Sequence, residues 1–143
     1  MAHLRCFRGI DTLSALALHL EVHDWQRFAR APQLASWLGL TPILHQSGES
    51  SSQGSITKTG SSYARRPLVE AAKRYARPPR IGVTLRNRLQ GQPDHAPQIA
   101  WRAQHCLFRL QARLRERGKP ANVAAVAVPR ELACFLWAAT VAV

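Results

Sequence analysis

Apolar residues recur at helical spacing along most of the chain, and Gly and Pro mark the breaks between runs. After Gly9-Ile10, the positions Leu13, Leu16, Ala17 and Leu20 predict a helix, which Asp11 or Thr12 can cap and His23-Asp24 end. Trp25 and Phe28 supply aromatic mass to a short second helix. Pro32 suits the first turn of another, running through Leu34, Trp37 and Leu38 and stopped by Gly39. Further on, Leu68, Val69, Ala71, Ala72 and Tyr75 form one helix face, with Pro67 expected in the first turn and Pro78-Pro79 closing it. Val83, Leu85 and Leu89 make a short helix that ends at Gly91. Ile99, Ala103, Cys106, Leu107, Leu110 and Leu114 predict a long one, with Arg102, Arg109, Arg113 and Arg117 elsewhere on the wheel and Gly118 at its end. A last helix starts near Pro120 and carries Val123, Val126, Ala127, Leu132, Phe135, Leu136 and Trp137; Pro129 is expected to kink or split it. No strand pattern of useful length appears, so the expected fold is mainly α.

Residues 41–62 change character, being rich in Ser, Gly and Thr. Their composition reads as a loop, or as short strands around turns, and a polar loop of this length inside a small chain is usually functional or a linker. The chain thus divides into a helix-hairpin-helix-like segment (1–40), a Ser/Gly-rich loop (41–62) and a basic helical segment (63–143), all within one domain. In a helix-hairpin-helix, backbone amides of a Gly-apolar-Gly turn hold a phosphate, and a small residue lets the helices approach. Gly9, Ile10 and Ala15 fit that pattern, whereas Asp11 stands where the second Gly is expected, so a structural role weighs evenly with a binding one.

Charge sharpens the picture. The 143 residues include 20 Lys+Arg and 8 Asp+Glu, a formal net charge of +12, with 46% of the chain apolar. The apolar share is too high for a disordered tail. Between Arg65 and Lys119 lie fourteen of the basic residues, opposed only by Glu70, Asp94 and Glu116. Most are Arg, whose forked donors match phosphate oxygens, and the surplus predicts a polyanionic partner, with nucleic acid ahead of a merely solvated face. The most apolar stretch, 121–143, is interrupted by Asn122, Pro129, Arg130 and Glu131, which argues against a membrane span. The N-terminus shows no secretory pattern, and Cys6, Cys106 and Cys134, odd in number and far apart, suit buried thiols in a reducing cytoplasm.

Several chemistries fail on spacing. The interval from Gly48 to Gly54 is wrong for a nucleotide loop, and the residues around Ser47 do not make a hydrolase elbow. His19 and His23 lack further ligands, and the acids are too scattered for a two-metal cluster. What remains is a serine in the polar segment, Ser47, with Lys58, Arg65 and Arg66 nearby in sequence. A hydroxyl attacking a phosphodiester needs its proton removed and cations for the charge that builds on the phosphate. Taken singly, any serine here reads as loop solvation.

Ordered fragments over nearly the whole chain carry a resemblance. They are Arg8-Gly9-Ile10-Asp11-Thr12-Leu13-Ser14-Ala15, Phe28 through Leu38-Gly39-Leu40-Thr41-Pro42, Gln46-Ser47-Gly48 and Gly54-Ser55-Ile56-Thr57-Lys58-Thr59-Gly60. Arg65-Arg66-Pro67-Leu68-Val69-Glu70-Ala71-Ala72 and Gly118-Lys119-Pro120-Ala121-Asn122 complete the set. Together they resemble the C-terminal domain of insertion-sequence transposases of the IS-one-ten type, the family that includes the Piv DNA invertases. The resemblance implies a helical domain that contributes a serine nucleophile, with Ser47 in Gln-Ser-Gly matching that position. It further implies a partner RuvC-like domain that carries the metal-binding acids and their magnesium, so that no cofactor belongs to this chain. The expected partners are DNA, a guide-type non-coding RNA and further copies of the protein in a homo-oligomer, without a membrane. The expected setting is cytoplasmic and nucleoid-associated, and the expected work is strand cleavage and exchange in transposition through a covalent protein–DNA intermediate. Local chemistry adds Lys58, Arg65, Arg66, Lys73 and Arg74 as nucleic-acid contacts. Glu49 stands where family members often have a second glycine after the serine. The absence of the RuvC-like half makes a truncated transposase the expectation, with a non-catalytic nucleic-acid-binding module or an inactive remnant as alternatives.

Overall fold

The computed structural model describes residues 1–40 and 60–141, and the backbone of 42–47 and 50–56. A 3-10 turn, Ala2–Cys6, leads through Gly9 to α1 (Thr12–Val22), followed by a 3-10 turn Trp25–Arg27 and α2 (Ala31–Trp37). An antiparallel hairpin of β1 (Pro42–Ser47) and β2 (Ser50–Ile56) comes next. After it lie α3 (Ser62–Ala72), a 3-10 turn Lys73–Ala76, α4 (Val83–Leu89), α5 (His95–Glu116) and α6 (Ala121–Val141).

The mainly α expectation holds, and local chemistry explains the helix ends. Asp11 Oδ1 accepts the Ser14 amide at 2.8 Å and so caps α1. Gln33 Oε1 reaches back to the Ala29 and Arg30 amides at 2.8 and 3.3 Å, fixing the entry to α2. Gly39 and Gly118 follow α2 and α5 with positive φ, as a helix-terminating turn requires.

Several expectations change. Of the two readings of residues 41–62, the short strands around a turn hold for 42–47 and 50–56, which pair because backbone groups of a polar segment satisfy one another across a ladder without needing an apolar alternation. Pro42, which has no N–H to donate, sits at the first position of β1, and the register shifts between Pro42 and Leu44. Ser61 caps α3 by accepting the Ala64 amide, and Ser62 belongs to that helix. The expected second helix at Trp25 is a single 3-10 turn. The element before the Gly9 turn is likewise 3-10, so the pair around that turn is one short 3-10 arm and one α-helix. Pro67 lies inside α3 rather than in its first turn, and Pro129 lies inside a continuous α6. Each removes a donor from the carbonyl four residues back, Tyr63 and Ala125 respectively, and both of those residues are exposed, where water can serve instead. Cys6 is buried, but Cys106 and Cys134 are only half-buried. Burial pushes the Cys134 thiol up to about 11, with Glu131 adding to the shift.

The core runs through both helical portions. Leu4, Phe7, Ile10, Leu34, Leu38, Leu68, Tyr75, Leu107, Leu132 and Leu136 are all buried in one cluster. α6 packs against α5, α2 and α3, and α1 against α3. By length and composition α6 is apolar enough to cross a membrane, contrary to the sequence expectation. In this fold its Val128, Leu132, Ala133, Leu136 and Ala139 face the core. α5 meets the core through Ala96, Ala100 and Ala103, small residues that let the backbones come close, and through the larger Leu107. The α1 leucines reverse expectation: Leu13, Leu16 and Leu20 are 76%, 40% and 65% exposed, while Ala15, Leu18 and Val22 are buried.

Candidate nucleic-acid interface

Ser47 is the last residue of β1, and its Cα partner across the ladder is Ser50, so it lies at the end of the hairpin away from the helices' attachment points. Those attachment points are well defined. Gly60 has φ +85, and a Cβ there would lie 1.9 Å from the Trp37 carbonyl oxygen, so only glycine fits this approach to the end of α2. Arg65 Nη1 donates to the Leu38 carbonyl at 3.1 Å. Ser61 Oγ donates to Glu21 Oε2 at 2.7 Å, tying the same junction to α1. Near α2, the Arg27 guanidinium stacks 4.6 and 4.7 Å from the Phe28 and Trp37 ring centres.

The sequence-derived contacts separate into different surroundings. Lys58 and the residues beside it, 57 and 59, lie outside the described residues, as do 41, 48 and 49. Arg65 is half-buried and holds the Leu38 carbonyl. Arg66 is exposed and lines a groove of about 410 Å³ with Ser14, Tyr63, Pro67 and Glu70. Lys73 pairs with Glu70 at 3.1 Å, both side chains being exposed, so the pair adds little to stability. Arg74 faces elsewhere, into a second groove.

That groove, about 430 Å³, lies between the Gly9 turn and the stretch 74–88. Arg8, Arg74, Arg80 and Arg88 line it, with Asp11, Gly82 and Thr84. Its framework is fixed by side chains that bond to backbone. Arg8 Nη1 donates to the carbonyls of Arg74 and Arg77 at 3.2 and 3.1 Å, and Nη2 to those of Pro78 and Arg80 at 2.8 and 3.4 Å. The buried Tyr75 hydroxyl donates to the Arg8 carbonyl at 2.7 Å, and its burial pushes the phenol well above its ordinary range. Gln104, 2% exposed, accepts the Arg80 amide at 2.9 Å, and Arg88 Nη1 donates to the Ile10 carbonyl at 2.9 Å. Burial, and behind it the positive charges of Arg77 and Arg80, lower the Arg8 guanidinium from its usual value, while Tyr75 opposes them. The carboxyl of Asp11 is held below its usual range, first by its hydrogen bonds from Ser14 and less by Arg88.

Sequence reasoning named Arg74 but not Arg8, Arg80 or Arg88 as site residues. The available signal was Pro78-Pro79 between arginines: an extended stretch, rich in carbonyls that no helix satisfies, needs donors from elsewhere. Among the described residues no group of three or more His, Cys, Asp or Glu comes together as metal ligands.

These features define a mainly helical, strongly basic domain with an arginine-lined groove and a hairpin that ends at a serine. The chain belongs to the transposase IS116/IS110/IS902 family, whose family model matches residues 1–84. It is 42% identical over 94% of its length to "Putative transposase y4qE" of Sinorhizobium fredii, of which it covers 35%. It is 33% identical, again over 94% of its length, to "Probable family 20 transposase" of Pseudomonas aeruginosa, of which it covers 33%. The chain thus spans about a third of the length of these curated relatives. No solved structure matches it.

Proposed function

We propose that this chain is the serine-bearing part of a DNA transposase, working on DNA in the cytoplasm at the nucleoid. The observation that carries the reading is the family match over 1–84, a stretch that contains the whole hairpin and Ser47. The proposed reaction is a transesterification. The Ser47 oxygen bonds to a backbone phosphorus, one P–O bond of the strand breaks, and the departing sugar oxygen takes up a proton in exchange for the one Ser47 loses. The number of phosphodiester bonds is conserved, so the reverse attack by another strand's hydroxyl completes strand exchange. Lys58, Arg65, Arg66, Lys73 and Arg74 are the proposed nucleic-acid contacts, since guanidinium and ammonium groups attract phosphate oxygens. The metal-binding acids and magnesium belong in this reading to a RuvC-like half. A guide-type RNA and further copies of the full-length protein complete the proposed assembly.

The test is adduct trapping on a nicked suicide DNA substrate, with a RuvC-like half from a relative supplied in trans. A denaturant-resistant protein–DNA band that disappears in Ser47→Ala is expected. A band that persists in Ser47→Ala removes the serine from the chemistry. DNA binding with no band under any condition points instead to a non-catalytic binding module.

A further inference from the structure

The Gly9 groove differs from the other basic surfaces in how it is built. Arg74, Arg77 and Arg80 are exposed, and their guanidinium groups make no hydrogen bond or ion pair among the described residues. The backbone that carries them is nevertheless held at five points: four carbonyls by Arg8 and the Arg80 amide by buried Gln104. By contrast Arg102 and Arg113 lie exposed on α5, where the groove that Arg113 lines with Arg109 also holds the carboxylate of Glu116. The Gly9 groove therefore couples a fixed frame with uncommitted forked donors, which limits the ordering cost of binding. Its only carboxylate among the described residues, Asp11, is engaged in capping α1. Four arginines line it against that single carboxylate, a net repulsion that a polyanion relieves.

We propose that this groove binds the phosphodiester backbone of a nucleic-acid strand, with Arg74 and Arg80 as the direct contacts and Arg8 and Arg88 as fixed charges behind them. The proposal rests on the reading that the chain meets nucleic acid, but on no chemistry at Ser47. The groove's donors are suited to phosphate oxygens rather than base edges, so binding there positions a strand without reading its sequence. The ionised Asp11 carboxylate repels phosphate at one end and biases the strand towards the Arg74–Arg80 end.

The experiment is fluorescence anisotropy of the 143-residue chain with a labelled DNA duplex of arbitrary sequence and, separately, a labelled RNA hairpin, across a salt series. For the arm that occupies the groove, R74Q/R80Q is expected to weaken binding about tenfold and to reduce the salt slope by about 2. The arm that responds identifies DNA or RNA as the source of the phosphodiester. R74K/R80K should recover part of the affinity, and thermal melting of both variants should match the parent, since the side chains are exposed. R102Q/R113Q is the control and should leave the slope near its starting value. Unchanged binding of R74Q/R80Q in both arms overturns the proposal, as does an equal loss in the α5 control. Ser47→Ala should bind like the parent, so a failed adduct assay leaves the groove standing, and a failed groove leaves the serine standing.

Discussion

His3 Nε2 lies 2.9 Å from Thr140 Oγ1, while the Thr140 hydroxyl donates to the Leu136 carbonyl at 2.9 Å. With its hydrogen committed, the Thr140 oxygen accepts, so His3 donates from Nε2. Burial, with smaller contributions from the N-terminal ammonium, His95 and His19, lowers its pKa to about 4 from 6.5. The sign follows: between these values the unfolded chain binds a proton that the folded chain refuses, so this stability is complete above about pH 6.5 and is lost as pH falls towards 4. Melting temperature should drop between pH 7 and pH 5, and His3→Gln should flatten that part of the profile. An identical drop in His3→Gln would assign the pH response to other groups.

At the scale of elements, α1 shows what a pattern of apolar residues can and cannot specify. Leu13, Ala15, Leu16, Ala17, Leu18, Leu20 and Val22 surround the helix with apolar side chains, so the sequence announces a helix without choosing its inner face. The choice comes from packing against α3, where Gly9 and Ala71 approach closely enough that a Cβ on Gly9 would sit 3.0 Å from Ala71. Leu18→Ala should therefore cost about 2–5 kcal/mol, whereas Leu20→Gln should stay within about 0.5 kcal/mol, both by urea denaturation. Comparable losses would mean that Leu20 is covered in solution. Helix ends were far more legible than faces, because Asp11, Pro32, Gly39, Gly91 and Gly118 act through local backbone chemistry. The hairpin was less legible: its strands are Ser-rich and lack a sustained apolar alternation, and their pairing joins residues such as Ser47 and Ser50 by register alone.

On the scale of the whole molecule, the positive surplus was plain from composition, but its division of labour was not. Arginines near one another in sequence, such as Arg65 and Arg74, serve different ends, one holding the Leu38 carbonyl and the other lining a groove. Arg8, remote in sequence from the stretch 74–80, holds that stretch through four carbonyls. Such pairings over long sequence separation leave no periodic trace. They also bear on how this arginine-rich chain withstands proteases. Trypsin attacks the carbonyl carbon of an arginine, and in the stretch 74–80 those carbonyls, on Arg74, Arg77 and Arg80, are among the four that Arg8 occupies. Arg77-Pro78 is refractory in any case, so Arg8→Ala should open two sites, after Arg74 and after Arg80, ahead of cuts after Arg30 or Arg117. Uniform acceleration at all four positions would trace the effect to general unfolding. A side chain that organises a basic surface thereby also shields, bond by bond, the cleavage points which that surface would otherwise offer.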